Sequence, residues 1–373
     1  MDATRLALEL ALETGFDLAG VAPLGPPPDL ARLDAWLAAG HHGGLAWIAR
    51  DRERIADPRG LLPEGRAMLV VGLGHSRPAV TVEGGARVAR YAAGRDYHNV
   101  VGRMLRKLRS RLVEAGLFAR GRPFRKVVDA GPLMERSHAA AAGLGFASKA
   151  ANLLHPRFGP WFFLGELLVE CELEPTPVPP AGSCGTCTLC LDACPTEAIV
   201  APGVVDARRC ISHLTIEHEG PVPEPLRASL GAWAFGCDVC SEVCPWGREA
   251  PDLSARFGEH RALEGGALAW LAERDERRFA ERTLGSPLAR PGREGLARNA
   301  ALALAASPSD AGRDGLLDAL AHDPSGVVRE AAAWALAHAH RSDAGVAEAL
   351  AGAAARERDP ARAAALARHA AGA

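Results

Sequence analysis

The chain opens on an amphipathic pattern: over residues 3–14 apolar positions recur every three to four residues, which predicts a helix. Residues 67–73 (AMLVVGL) form an apolar run closed by Gly72 and Gly74, the mark of a buried strand. Residues 126–128 and 161–169 read as further buried strands, with helices between them around 101–114 and 133–142. The first 175 residues therefore alternate in the α/β manner.

The stretch Pro175-Thr176-Pro177-Val178-Pro179-Pro180 can continue neither a helix nor a central strand and marks a linker. From about Arg293 the pattern changes to short, alanine-rich amphipathic segments at 296–306, 315–322, 327–338 and 346–354, separated by Pro, Gly, Asp and Ser. They recur at roughly 30 residues per pair, as in HEAT-like arrays; a helical bundle that only packs on the rest of the chain is the plainer alternative. The expected fold class is α+β in three parts: an α/β domain over 1–175, a cysteine-bearing domain over 176–290 and helical repeats over 291–373.

Composition narrows the field. A chain of 373 residues with 48% hydrophobic content can fill two or three cores. A net charge of -2 excludes a uniformly basic nucleic-acid binder, so any polyanion contact must be a local patch. One candidate is the run of Arg103, Arg106, Lys107, Arg109 and Arg111, followed by Arg120, Arg122, Arg125 and Lys126; a solvated helix face is the ordinary reading of such a run. The first twenty residues carry Asp2, Glu9 and Glu13 and resemble no secretory or twin-arginine signal, and no stretch reaches the roughly 18 apolar residues of a membrane helix. A soluble, cytoplasmic protein is expected, and nothing in the sequence demands more than a monomer.

Eight of the nine cysteines fall between Cys184 and Cys244, with Cys171 apart in an apolar strand as a packing residue. Their order is C-x2-C-x2-C-x3-C-P from Cys184 to Pro195, then Cys210, then C-x2-C-x3-C-P from Cys237 to Pro245. A tight triplet wraps three corners of a [4Fe-4S] cube, and the cysteine before proline ligates the other cluster. By that rule Cys184, Cys187, Cys190 and Cys244 hold one cluster, while Cys194, Cys210, Cys237 and Cys240 hold the second. Paired structural zinc sites are the alternative, but zinc gives no reason for the third cysteine of the triplet or for the prolines. Two clusters make an electron relay, which calls for a donor at one end and a redox centre or substrate at the other.

Four segments carry a family resemblance: the ferredoxin-like cysteine block, Val127 to Pro132 (VVDAGP), Tyr91-x2-Gly94-x-Asp96-Tyr97-His98, and Gly159-x-Trp161 to Glu166. Together, from about residue 10 to about 300, the chain resembles epoxyqueuosine reductases. The resemblance implies a cobalamin-dependent enzyme that removes the epoxide oxygen of epoxyqueuosine at the tRNA wobble position. It further implies a cobalamin in the N-terminal domain with no protein histidine on cobalt, helical repeats that help hold the tRNA anticodon stem-loop, and a donor such as a ferredoxin or flavodoxin.

The resemblance assigns the proton-donor role to Asp129. The residues point the same way, since a carboxyl at a strand end, facing an apolar pocket, suits protonation of a poor leaving group; capping the helix near Leu133 is the structural alternative. Arg136 can face the cofactor or a phosphate, or lie on the surface. Tyr97 and His98 either line the cofactor pocket or simply pack at a helix start. Asp96-Tyr97-His98 is not a D-x-H-x-x-G cobalamin motif, because Gly102 falls one residue late. Lys149 lies in a loop that resembles the family's Gly-Trp-x-Gly-Lys-Asn-Thr segment near the corrin, but Phe146, Ser148, Ala150 and Ala151 depart from it. A cobalamin-dependent reductive dehalogenase and a non-enzymatic electron carrier are the competing functions; an absent export signal and the repeat tail count against the first, the large α/β domain against the second.

Overall fold

The computed structural model describes residues 2–178, 182–343 and 345–372; of the expected linker, Pro179 and Pro180 lie outside them. The described residues form two compact units built from interleaved segments, residues 1–77, 96–208 and 239–257 in the first and 78–95, 209–238 and 258–373 in the second.

The first unit is organised on a four-stranded sheet of β1 (Leu18–Pro23), β2 (Ala67–Gly74), β3 (Arg125–Val127) and β4 (Phe162–Val169), in the order β1-β2-β4-β3. Every pairing is antiparallel, so strands and helices alternate along the chain without forming the parallel βαβ units that the α/β pattern suggested. β2 is buried at all eight positions, which is why it reads as a continuous apolar run. β1 escaped the sequence reading because Gly20 and Pro23 break its pattern.

Three helices flank the sheet: α1 (Ala3–Thr14), α2 (Tyr97–Glu114) and α3 (Glu135–Ala141). α2 buries Tyr97, Val101, Leu105, Leu108 and Leu112 along one stripe. It comes close to β4 at Gly165, where an added Cβ would lie 2.8 Å from a methyl of Val101. Odd positions of β4 thus face α2. Even positions share the core with Val70, Ala139 and Ala142, so Glu166 belongs to the face under α3.

In the second unit, helices Gly292–Ala305, Asp310–His322, Gly326–Ala339, Val346–Arg356 and Pro360–Ala371 pack in succession over a core of alanine and leucine. Arg298, 1% exposed, is held there by the carbonyls of Leu214, His218 and Gly220.

Candidate active site

The turn after β3 carries Asp129 in the left-handed backbone region, at φ 51°. Non-glycine residues occupy that region at a cost, and aspartate is among those that tolerate it. Two contacts hold it. The phenol of Tyr97 donates to the Asp129 carboxylate, and the Asp129 N–H donates to Glu135 Oε1 at 2.5 Å. Asp129 caps no helix: the residue before α3 is Met134, which offers no side-chain cap.

Tyr97 is fixed from both sides. Asp96 caps α2 by accepting the His98 N–H at 2.9 Å, which sets Tyr97 in the first turn. Its ring stacks on Phe163 of β4, centroids 4.2 Å apart and planes within 2°, and on His98 at 4.1 Å. His98 Nδ1 lies 2.8 Å from Asp96 Oδ1. Burial opposes protonation of His98, but Asp96, with Asp129 and Glu135 farther off, raises its pKa overall.

Glu135 and Glu166 were not singled out in the sequence. Glu166, 0% exposed, lies in the middle of β4. Neither of its oxygens meets a donor N–H or O–H, and its polar neighbour is the Glu135 carboxyl, so this pair is satisfied only when a proton lies between the two groups. Burial, and then the charge of Asp129, pushes Glu135 up to about 7. One signal was available: Glu166 is the lone charged residue in FFLGELLV.

The residue after Glu135 ties this cluster to the cysteines. Arg136 donates to the carbonyl of Ala151 at 2.9 Å, and Ala151 is another left-handed residue, at φ 60°. Next to it, Asn152 Nδ2 approaches Cys240 Sγ at 4.0 Å and donates to Ser241 Oγ at 3.2 Å. Lys149, on the same loop, donates to the carbonyls of Gly185 and Cys187 at 2.8 and 2.9 Å. The structure therefore places Lys149 on the backbone of the cysteine triplet and Arg136 on the Lys149 loop.

Cys184, Cys187, Cys190 and Cys244 wall one cavity of about 50 Å³, together with Cys240 and with Ser148, Ala150, Asn152, Leu154, Pro160 and Trp246. Burial raises the pKa of Cys190, and so do the sulfurs of Cys184, Cys244 and Cys187 facing it. Among the described residues no group of three or more His, Cys, Asp or Glu converges as the ligands of a single ion must. Of the five thiols around the cavity, Cys184, Cys187, Cys190 and Cys244 are the set expected at the corners of one cube, and Cys240 belongs to the set expected on the other. Cys194 Sγ accepts the Ala198 N–H at 3.2 Å in the same unit. Cys210 and Cys237 belong to the second unit.

The expected basic run is narrower in the structure. Arg103, Arg106 and Lys107 are exposed. Arg111 is paired with Glu13, Arg122 with Glu170, and Arg109 lies over the Phe124 ring at 4.3 Å.

A strained acid turn, linked through one loop to a cavity walled by cysteines, defines an iron-sulfur oxidoreductase. The family model "4Fe-4S double cluster binding domain" matches residues 183–247, and "Epoxyqueuosine reductase QueG, DUF1730" matches residues 55–130. The chain belongs to the epoxyqueuosine reductase family. It is 41% identical over 320 residues to the epoxyqueuosine reductase of Xanthomonas campestris pv. campestris, covering 82% of this chain and 88% of that one. To the enzyme of Escherichia coli it is 37% identical, covering 83% of each. Among solved structures, an epoxyqueuosine reductase with an epoxyqueuosine-modified tRNA-Tyr stem loop matches with a TM-score of 0.87 at 29% identity, over 100% of this chain and 99% of that one. The Bacillus subtilis enzyme, solved with its catalytic loop swung out of the active site, matches equally, at 0.87 and 29% over the whole of both chains. No helix among the described residues is long and apolar enough to cross a membrane.

Proposed function

We propose that the chain reduces the epoxide of epoxyqueuosine in the wobble position of tRNA to queuosine and water, and that Asp129 is its proton donor. The observation that carries the role of Asp129 is its tether: a carboxyl in a strained turn, hydrogen-bonded by Tyr97 and tied through Glu135, Arg136 and the loop at 148–152 to the cysteine cavity. Removing one oxygen from an epoxide as water takes up two electrons and two protons. A double-cluster domain provides for the electrons, and a cytoplasmic ferredoxin or flavodoxin is the class of donor that would load it.

The resident cofactor of this reading is cobalamin, bound in the first unit. The cavity walled by the thiols, about 50 Å³, has the size of a cluster site and not of a corrin, so it is not the place of the cobalamin. When bound, cobalamin supplies a strongly reducing, nucleophilic metal centre. The chain's own groups do the rest. Tyr97 holds the Asp129 carboxyl toward the leaving oxygen, Arg136 and Lys149 fix the loop that lines the cavity, and the exposed cations of α2 offer contacts for the phosphates of the anticodon stem-loop.

The test is anaerobic reconstitution with iron, sulfide and cobalamin, followed by tRNA carrying epoxyqueuosine and a chemical reductant, with the nucleoside read by mass spectrometry. Loss of the mass of one oxygen, dependent on cobalamin, is the expected result. Asp129→Asn, with clusters and cobalamin retained, should lower turnover by about 10²- to 10⁴-fold; unchanged turnover would remove Asp129 from the reaction.

A further inference from the structure

Behind Asp129 lie the half-buried carboxyl of Glu135 and the fully buried one of Glu166, and the chemistry above does not use their relation to each other. Glu166 has no exposed surface and no donor, in a strand whose paired neighbours are Val70 and Val127. Glu135 faces it while accepting the backbone N–H of Asp129. The other charged groups that face the pair are Asp129 from the end of β3, His98 from α2 and Arg136 on α3 itself.

Two ionised carboxylates in this position would repel one another, with Arg136 and, when protonated, His98 as counter-charges to Glu135, and an ionised Glu166 would be left without a single hydrogen bond. Two neutral carboxyls would weaken the bond to the Asp129 N–H, since an ionised acceptor is the stronger one. A single shared proton removes both penalties. Glu166 then donates its O–H to Glu135, and Glu135 keeps the negative charge that grips the Asp129 turn.

We infer that Glu135 and Glu166 share one proton and form a latch that holds the strained Asp129 turn in its working position. Glu135 is a positioning residue that acts through the Asp129 N–H, and Glu166 sets the charge state of Glu135. Burial is the main cause that lifts both carboxyls, Glu135 to about 7 and Glu166 well above the usual carboxylate range. As pH rises the pair gives up its proton, the two charges separate and the latch opens. Turnover should therefore decline on the alkaline side by a step that belongs to the pair. This role rests on the proposed deoxygenation, but the shared proton itself does not.

Two measurements keep the two ideas apart. Infrared difference spectroscopy of the cluster-loaded wild-type protein, without tRNA, should show the C=O band of a protonated carboxyl at pH 7.5, and the band should vanish in Glu166→Gln. Absence of the band in the wild type overturns the inference whatever the enzyme's substrate proves to be. The second measurement uses epoxyqueuosine tRNA, with wild-type turnover established first. Glu135→Ala should lower kcat by about tenfold, as expected when a charge-assisted hydrogen bond is lost, with KM for the tRNA little changed. Glu135→Gln should recover most of that loss, because its amide oxygen still accepts the Asp129 N–H. In Glu166→Gln, whose N–H replaces the titrating proton, the alkaline step should disappear. An unchanged kcat in Glu135→Ala, or an alkaline step that persists in Glu166→Gln, would overturn the latch.

Discussion

The phenol of Tyr97 donates a hydrogen bond to the carboxylate of Asp129, across 32 positions of sequence. The bond needs both a helix start capped by Asp96 and a strand end turned at φ 51°. It makes the orientation of the Asp129 carboxyl depend on a residue of another element.

Tyr97→Phe isolates that bond, because the stack on Phe163 at 4.2 Å remains. Losing a hydrogen bond of ordinary strength costs about 0.5–1.5 kcal/mol, so kcat for deoxygenation should fall roughly twofold to tenfold. KM for the tRNA and the melting temperature should change little. Steady-state kinetics with nucleoside mass spectrometry, beside a thermal melt, would check both.

Lys149 was expected near the corrin, whereas its ammonium group bonds the carbonyls of Gly185 and Cys187. Lys149→Met should therefore act first on the cluster. Its removal by a chelator, followed by the loss of visible absorbance, should speed up by roughly tenfold for the loss of charge-assisted bonds worth about 1.5 kcal/mol. Cobalamin affinity should move less. The opposite ranking would place the lysine on the corrin.

His138 is 1% exposed on α3, and its Nε2 meets no partner. Burial lowers its pKa from 6.5 to about 4. The unfolded chain thus binds a proton on this residue at a higher pH than the folded one does. Its contribution is present above pH 6.5 and is lost as pH falls toward 4, by up to about 3 kcal/mol. Denaturant midpoints measured from pH 7 to pH 5 should drop more steeply in the wild type than in His138→Leu.

Gly159 sits at φ 54°, and a Cβ there would come within 2.4 Å of Gly247 Cα and 2.6 Å of the Trp246 carbonyl oxygen. Both contacts are backbone, so no side chain can yield. Gly159→Ala should push away the segment that carries Cys244 and Pro245. The expected result is a loss of bound iron and a lower melting temperature, measured by iron assay and calorimetry.

What the sequence could reveal follows from where the information lies. The double-cluster domain was legible because cysteine spacing is local and a cube imposes it. β2 and β4 were legible because both faces are buried. The antiparallel pairing of β4 between β2 and β3 was not, since periodicity carries no direction. The helix Pro360–Ala371 was missed because alanine fills both its inner and outer faces, which leaves little contrast. Asp129 was singled out through its turn and the family resemblance, and the structure shows that turn at φ 51°. Its partners Tyr97 and Glu135 were out of reach as partners, for each contact joins residues that only the folded sheet brings together.

The interleaving of the two units has a consequence for the order of events during synthesis. The chain leaves the first unit after Arg77 and again after Arg208, and it returns for good reason at Val239, because Cys240 and Cys244 lie in that last segment. A nascent chain that has reached Arg208 already displays Cys184, Cys187, Cys190 and Cys194 but lacks a fourth wall for the cavity. The expected set of four thiols is complete only once Cys244 has been made. Filling that cavity with a four-thiol cluster is accordingly expected late in synthesis rather than as soon as the first triplet appears.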